Sequence, residues 1–297
     1  MPNLCHFCHK SQTSLLYPPT QKEDIKNPGL FTCTNCGFGI HGLIVKCPAC
    51  QIIYVDEKIP QSQISTYYEV AKDPLYFAEQ SARGKTFTRY LHRLNIIFPK
   101  KGKILDIGTN TGLFVKLAKD DGWDAIGLEP NKWAVGYARK NYGISIINKP
   151  FEKNVFPESG FDVVTMWDVI EHFTDPVSEI KKVYWYLKSG GLFAFSTTDP
   201  ESFLAKVMGT RWSWYMEMHR VFFSHFAAKK YLEKTGFQKI IFKPHFRYLS
   251  LGYLATRFAA INPKVANILH QIFISTRIAR QIVPYYANDL YDCYAFK

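Results

Sequence analysis

The sequence predicts an α/β fold, a mostly parallel sheet with helices on both faces. Three observations predict it. Residues 102–244 alternate short apolar runs with amphipathic stretches. The first run ends in a glycine turn, Gly108-Thr109-Asn110-Thr111-Gly112, that opens a helix. The second ends in an acid, Glu129. A glycine turn followed by an acid at this spacing is how open α/β sheets hold a nucleoside ligand.

The elements are expected in this order. Asp73-Pro74 starts a helix, with an N-cap followed by Pro at the first helical position, and Pro99 ends it. Lys103–Ile107 is strand one, and residues 112–119 form a helix. Residues 124–129 are strand two, and 132–141 are a helix stopped near Gly143. Residues 144–147 and 161–166 are strands three and four. Asp175-Pro176 opens a helix to Leu187, Gly190-Gly191 ends it, and 192–196 is strand five. Ser224 caps a helix that ends at Gly236, before strand six over 237–242. Residues 248–283 read as amphipathic helices broken at Asn262-Pro263, and Leu290–Phe296 as a last strand. Placing that strand in the core sheet makes the helical segment an insertion between two late strands.

The chain divides into a cysteine-rich module (1–60), a helical linker or cap (61–99) and the α/β domain (100–297) with its insertion (248–283). An apolar content of 47% indicates a folded protein. No apolar run approaches membrane-spanning length. The N-terminus lacks the apolar stretch of a secretory signal, so a cytoplasmic location with reduced thiols is expected. The net charge of +12 is concentrated late. Residues 202–284 hold 13 Lys/Arg against 2 Asp/Glu, and no acid occurs from Lys234 to Asn288. That third is expected to face something anionic.

A dinucleotide site needs glycines that let a diphosphate approach bare backbone. Here Asp106 stands two residues before Gly108. Its carboxylate repels a diphosphate and suits the ammonium and sulfonium of S-adenosylmethionine. Glu129 suits two ribose hydroxyls, which donate hydrogen bonds to a carboxylate.

Asp106-x-Gly108-x-Asn110-x-Gly112, Glu129-Pro130, Phe161-Asp162-Val163-Val164 and Asp168-Val169-Ile170-Glu171-His172 together resemble a class I S-adenosylmethionine-dependent methyltransferase. The resemblance covers roughly residues 100–244 in order. It implies a seven-stranded Rossmann-like sheet with a reversed last strand. It implies that the loop from Asp106 to Gly112, Thr109 included, cradles the methionine part and that Glu129 binds ribose. Pro130 and Phe151 would flank adenine, with Trp167 and Asp168 near the cofactor's amino-acid end. Asn110 departs from the family, where many members have glycine. Lys149-Pro150-Phe151 departs where an acid often reads the adenine amine.

Asp168, Glu171 and His172 follow strand four, at the ligand end of an open α/β sheet. Spaced i, i+3 and i+4, they share a face if helical. They either hold a divalent metal, as in some methyltransferases with a similar set, or hydrogen-bond the pocket into shape; the second reading is preferred. His172 and His219 are the candidate bases, and Glu171 completes the cluster.

Six of the seven cysteines fall in Cys-x-x-Cys pairs. Cys33/Cys36 and Cys47/Cys50 are expected to bind Zn²⁺ as a zinc ribbon, or iron as in rubredoxin knuckles. Cys5/Cys8 either complete a second site with His9 or His41, or replace Cys33/Cys36 in the first. Arg247, Arg257, Lys264, Arg277 and Arg280 lie among aromatic residues, which suits a substrate lid first, an anionic membrane surface second and nucleic acid third. The expected function is methyl transfer to an anionic small-molecule, sugar-related or lipid-linked acceptor. The alternative is a zinc-ribbon RNA-binding protein or RNA methyltransferase.

Overall fold

The computed structural model describes residues 4–20, 31–34, 39–56, 60–261 and 277–297. The cysteine-rich start supplies β1 (Ser14–Tyr17), β2 (Ile44–Lys46) and β3 (Ile53–Val55). Three helices follow, α1 (Gln61–Val70), α2 (Pro74–Ala78) and α3 (Gln80–Ile97). The alternating region is β4 (Lys103–Ile107), α4 (Leu113–Asp120), β5 (Asp124–Leu128), α5 (Lys132–Tyr142), β6 (Ile146–Ile147) and β7 (Phe161–Trp167). It continues through α6 (Pro176–Tyr186), β8 (Leu187–Thr198), α7 (Phe203–Met208), β9 (Val221–Phe222), α8 (His225–Thr235) and β10 (Gln238–Pro244). Last come β11 (Arg247–Ser250), α9 (Leu251–Ile261), β12 (Ile282–Tyr285) and β13 (Leu290–Phe296).

The helix ends follow from capping chemistry. Asp73, Asn131, Asp175 and Ser224 accept the Tyr76, Ala134, Ser178 and Ala227 backbone N–H groups. Each such cap stabilises by about 1 kcal/mol. Gly143 and Gly236 close α5 and α8 in the left-handed conformation.

The main sheet runs β10-β13-β8-β7-β4-β5-β6. The inner pairs are parallel, and β13 lies antiparallel between β8 and β10. The seven-stranded sheet with a reversed last strand is therefore the observed one. Alternate residues feed two cores, as a period of two requires. Leu105, Val164, Met166, Phe193 and Phe195 pack on one face, and Ile104, Val163, Leu192 and Ala194 on the other.

Three expectations change. The helix begun at Asp73 breaks at Glu79, whose carboxylate accepts from the Ser250 N–H (3.0 Å) and hydroxyl (2.5 Å). The strand after α6 starts at Leu187 instead of 192, because the Gly190 N–H donates to the Lys297 carbonyl (2.9 Å) and keeps the glycine pair in the sheet. The insertion opens with a two-stranded ladder, β11 on β12 from Arg247↔Tyr285 to Ser250↔Ile282, before α9. The Asn262-Pro263 break and Lys264 lie outside the described residues.

A second sheet has the order β1-β2-β3-β9. Its first three strands belong to the cysteine-rich start and its fourth lies between α7 and α8. Cys5, Cys47, Cys50 and Tyr54 share one core cluster with Leu105, Phe193 and Tyr231. Among the described residues no helix is long and apolar enough to cross a membrane.

Candidate active site and thiolate cluster

The turn after β4 is shaped by close packing. Gly108 has φ +68°, and a Cβ there would lie 2.7 Å from the Val169 side chain. Gly112 has φ +73° at the start of α4, and a Cβ would meet Ile146 at 2.6 Å and Ile144 at 2.8 Å. Asn110 has φ +49°, a left-handed conformation that Asn tolerates better than most residues. This explains how it stands where glycine is common. Its N–H donates to Glu129 Oε2 (2.7 Å), and the Asn131 N–H donates to Oε1 (3.0 Å). Burial pushes the Glu129 carboxyl up to about 7 against these two donors.

Asp106 lies beneath the loop. It is 2% exposed, accepts the Thr165 hydroxyl (2.6 Å) and is pushed up to about 7 by burial. Asp106, expected at the ligand ammonium, is not among the residues that line the cavity. Thr109 and Gly112 likewise form the turn, the Gly112 N–H donating to the Thr109 carbonyl (2.9 Å), and do not line the cavity.

One cavity of about 240 Å³ opens above this turn. Gly108, Asn110, Glu129, Pro130, Phe151, Trp167 and Asp168 line one part of it. Tyr68, Glu171, His172, Trp214, His219 and Arg247 line another.

Asp168 also has positive φ, +56°. Its Oδ1 accepts the Ser196 hydroxyl (2.6 Å) and its Oδ2 the Arg247 guanidinium (3.1 Å). Against its burial, Arg247 and then His245 hold the carboxyl at about 2. Arg247 Nε donates to His245 Nε2 (2.8 Å), and His245 Nδ1 donates to buried Asp292 (2.6 Å). A chain of polar contacts thus runs from the last strand to the pocket.

The two histidines meet with ring centroids 4.9 Å apart. His219 Nδ1 lies 2.9 Å from the Trp214 carbonyl, which accepts its proton and leaves Nε2 unprotonated. Burial, and then His172, hold His219 well below the usual histidine range. Burial also lowers His172. Its Nδ1 is 2.7 Å from the Tyr68 hydroxyl and 3.0 Å from the Met218 carbonyl, and its Nε2 is 3.1 Å from the Asp168 carbonyl. Glu171 accepts the Thr197 hydroxyl (3.1 Å), and burial and then the Asp168 charge push it up to about 8. Ligand atoms of Glu171, His172 and His219 lie within 4.8 Å of one another. Both His172 nitrogens already have partners, which favours the pocket-shaping reading over a metal site.

Arg83, on α3, also lines the cavity. Its guanidinium lies 3.7 Å from the Tyr76 ring centroid. Its Nε is buried with no hydrogen-bond partner among the described residues. Sequence reading missed Arg83 and Tyr68. Their one signal, a polar group on the face of a helix that also carries buried aromatics, is weak.

The cysteines are grouped differently from the first expectation. Cys5, Cys8, Cys47 and Cys50 come together, with all four sulfurs within 4.8 Å of one another. Cys5 and Cys50 are 3.7 Å apart, and Cys8 and Cys47 are 3.6 Å apart. These are far beyond a disulfide bond and close to the sulfur spacing of about 3.8 Å that tetrahedral zinc imposes. The Cys50 N–H donates to Cys47 Sγ (3.4 Å), as a metal knuckle requires. Strand register explains the grouping. Antiparallel pairing puts Ser14 of β1 opposite Lys46 of β2, which brings the chain before β1 beside Cys47. Cys33 instead sits at the cavity, 3.5 Å from Asn110 Nδ2, while the adjacent Thr34 N–H donates to Asp73 (2.9 Å). Cys36 lies outside the described residues. His41 Nδ1 donates to the Gly42 carbonyl (2.8 Å), and neither it nor His9 joins the cluster.

The parallel sheet, the glycine turn and the acid after β5 define a class I S-adenosylmethionine-dependent methyltransferase. The family model described as "Methyltransferase domain" matches residues 78–240, more than half of the chain, and the chain belongs to that family. Among curated proteins it is similar to the ubiquinone biosynthesis O-methyltransferase of Aliivibrio fischeri, 32% identical over 130 residues. That match covers 40% of this chain and 53% of the relative. The Acinetobacter baumannii protein of the same name is 28% identical over 134 residues, covering 40% of this chain and 56% of the relative. The chain thus spans about half the length of the curated relatives it matches. Among solved structures it resembles an S-adenosylmethionine-dependent methyltransferase from Archaeoglobus fulgidus, with TM-score 0.50 and 18% identity. That match covers 76% of this chain and all of the other. It also resembles Haemonchus contortus phosphoethanolamine N-methyltransferase 2, with TM-score 0.51 and 17% identity over 82% of this chain and 61% of the other. These two likenesses concern the fold alone.

Proposed function

We propose that the protein methylates a hydroxyl group of a small anionic acceptor, with His219 taking the hydroxyl proton. One observation carries the reading: Gly108 and Asn110 of the glycine turn, Glu129 and the histidine pair line a single cavity. S-adenosylmethionine, when bound, supplies an electrophilic methyl on its sulfonium. Gly108 and Asn110 of the turn would face its methionine part, and Glu129 would accept from the ribose hydroxyls. Pro130 and Phe151 flank adenine, and Trp167 and Asp168 lie toward the amino-acid end. Arg83, whose Nε has no hydrogen-bond partner among the described residues, receives the carboxylate. A buried donor left unpaired is costly, so an anionic ligand that accepts from it is stabilising.

On the acceptor side, His219 is neutral with a free Nε2, the state a general base needs. The Tyr68 hydroxyl and His172 fix the wall beside it, and Glu171 packs behind. Displacement at the methyl is in line, so holding the nucleophile against it contributes much of the acceleration. The O-methyltransferase name of the curated relatives supports oxygen as the accepting atom, and their place in ubiquinone biosynthesis supports a lipid-linked acceptor. Phe203 and Val207, 79% and 66% exposed on either side of Lys206, support peripheral contact of a cytoplasmic protein with an anionic bilayer. The four clustered thiolates hold zinc.

The test uses purified protein, methyl-tritiated S-adenosylmethionine and a panel of phenols, sugar phosphates and polyprenyl phenols, with total RNA as control. Label on a hydroxyl, lost in His219→Ala, is expected. Label on RNA alone would sink the reading.

A further inference from the structure

The cysteine module and the histidine pair are joined by backbone. The turn between β2 and β3 is the Cys47-Pro48-Ala49-Cys50 knuckle itself, closed by the Cys47 N–H donating to the Ile52 carbonyl (3.0 Å) and the Gln51 N–H donating to the Cys47 carbonyl (2.8 Å). β3 then pairs with β9, Ile53↔Phe222 and Tyr54↔Val221. The ladder extends one residue further, the Val55 N–H donating to the Arg220 carbonyl (2.9 Å). On the other side the Arg220 N–H donates to the Glu171 carbonyl (2.7 Å). His219 is therefore carried on a short segment sewn to β3 on one edge and to the Glu171 turn on the other.

The segment packs Val221 and Phe222 into cores that it shares with Tyr54 and Ile53, but its ladder is short. β9 has two residues, and β2 and β3 have three each. Strands this short are marginal without a further constraint. The other knuckle grips the same strand from outside: Phe7 stands edge-on to Tyr54 at 5.1 Å, and the His6 N–H donates to the Tyr54 hydroxyl (3.4 Å). α8 adds Lys230, whose ammonium donates to the Ala49 carbonyl (2.8 Å). The glycine turn and Glu129 hang from β4 and β5, which make no ladder with this sheet.

We infer that a zinc ion held by Cys5, Cys8, Cys47 and Cys50 sets the position of His219 through the β3–β9 pairing, leaving the cofactor half of the cavity independent of the metal. The inference rests on the proposed zinc reading of the four thiolates and on the proposed role of His219. It makes the metal a positioning element for the acceptor wall, acting across two strands without touching a ligand.

The experiment compares the full chain, C8S/C47S and V55P. Metal content is measured by mass spectrometry, amide hydrogen exchange is followed at Val55 and over 216–222, and S-adenosylmethionine binding is measured by calorimetry. Wild type should carry one zinc per chain. C8S/C47S should lose it, exchange at Val55 and Arg220 at least about a hundredfold faster, and bind S-adenosylmethionine within about threefold of wild type. V55P removes the donor to the Arg220 carbonyl and, read over 216–222 because it has no amide at 55, should keep the zinc yet loosen that segment. A metal-free wild type defeats the zinc reading and the inference with it. Zinc lost with protection unchanged defeats the coupling alone, as does protection retained in V55P. Loss of all protection and of S-adenosylmethionine binding in C8S/C47S also overturns it, since the metal would then hold the whole fold.

Discussion

The two halves of the cavity are built by opposite means. The cofactor half is backbone: a turn between β4 and α4, an acid at the end of β5 and two N–H donors onto that acid, all within about 25 residues of chain. The acceptor half is side chains from four distant segments, with Tyr68 on α1, His172 after β7, His219 before β9 and Arg247 on β11. A backbone cradle tolerates variation and reads a shared ligand. A wall of scattered side chains has no local pattern and is free to diverge with the acceptor.

This contrast breaks if either half responds to the other's mutations. The largest expected effect is His219→Ala, which should lower kcat by about 10²–10⁴-fold. Its S-adenosylmethionine affinity by calorimetry should stay at the wild-type value. Next, Glu129→Ala should weaken S-adenosylmethionine binding by about 1–3 kcal/mol, because a charged acceptor of hydrogen bonds is lost. Arg83→Met should weaken the same binding by about tenfold and leave 5′-methylthioadenosine, which has no carboxylate, unchanged. Equal losses for both ligands would place the Arg83 anion elsewhere.

The pH dependence sharpens the comparison further. The Glu129 carboxyl sits at about 7 in the free protein, and ribose hydroxyls favour its ionised form. Below that pH the ligand must displace a proton. S-adenosylmethionine affinity should therefore fall by up to about tenfold from pH 7 to pH 6, and level off above pH 8. Calorimetry in buffers of different ionisation enthalpy should show proton release on binding near pH 7; none would contradict a titrating Glu129. The smallest effect is Asn110→Gly. The φ of +49° suits glycine, so stability by thermal melting should change by less than about 1 kcal/mol.

Legibility in the sequence followed the same divide. β4, α4, β5 and β13 were readable because apolar period, caps and turn glycines are local signals, while the reversal of β13 followed only from the family resemblance. Glu129 was readable because its spacing from the turn is set by one βαβ unit. The Thr165 hydroxyl bond to Asp106 was not readable, since spacing alone does not show which side chain of the neighbouring strand meets the carboxyl. The cysteine pairs were recognised as metal ligands, but which pairs share a site depends on the β1–β2 register. Cys33, read as a ligand, stands instead by Asn110. Nothing in residues 53–55 announces that they pair with 221 and 222, so the joining of the cysteine module to the segment before α8 was invisible.

The insertion of β13 between β8 and β10 has a consequence for biosynthesis. β10 ends at Pro244, and its ladder partner in the main sheet begins only at Leu290. A nascent chain that has released β10 from the ribosome holds a strand with no neighbour in that sheet. The same wait applies to His245, whose buried Nδ1 partner is Asp292 on that late strand. The parallel core from β4 to β8 is complete much earlier and is free to form during synthesis. Force profiling with arrest peptides should therefore register one pulling event as β8 clears the exit tunnel and a second once β13 does. A single late event would mean that the sheet closes all at once.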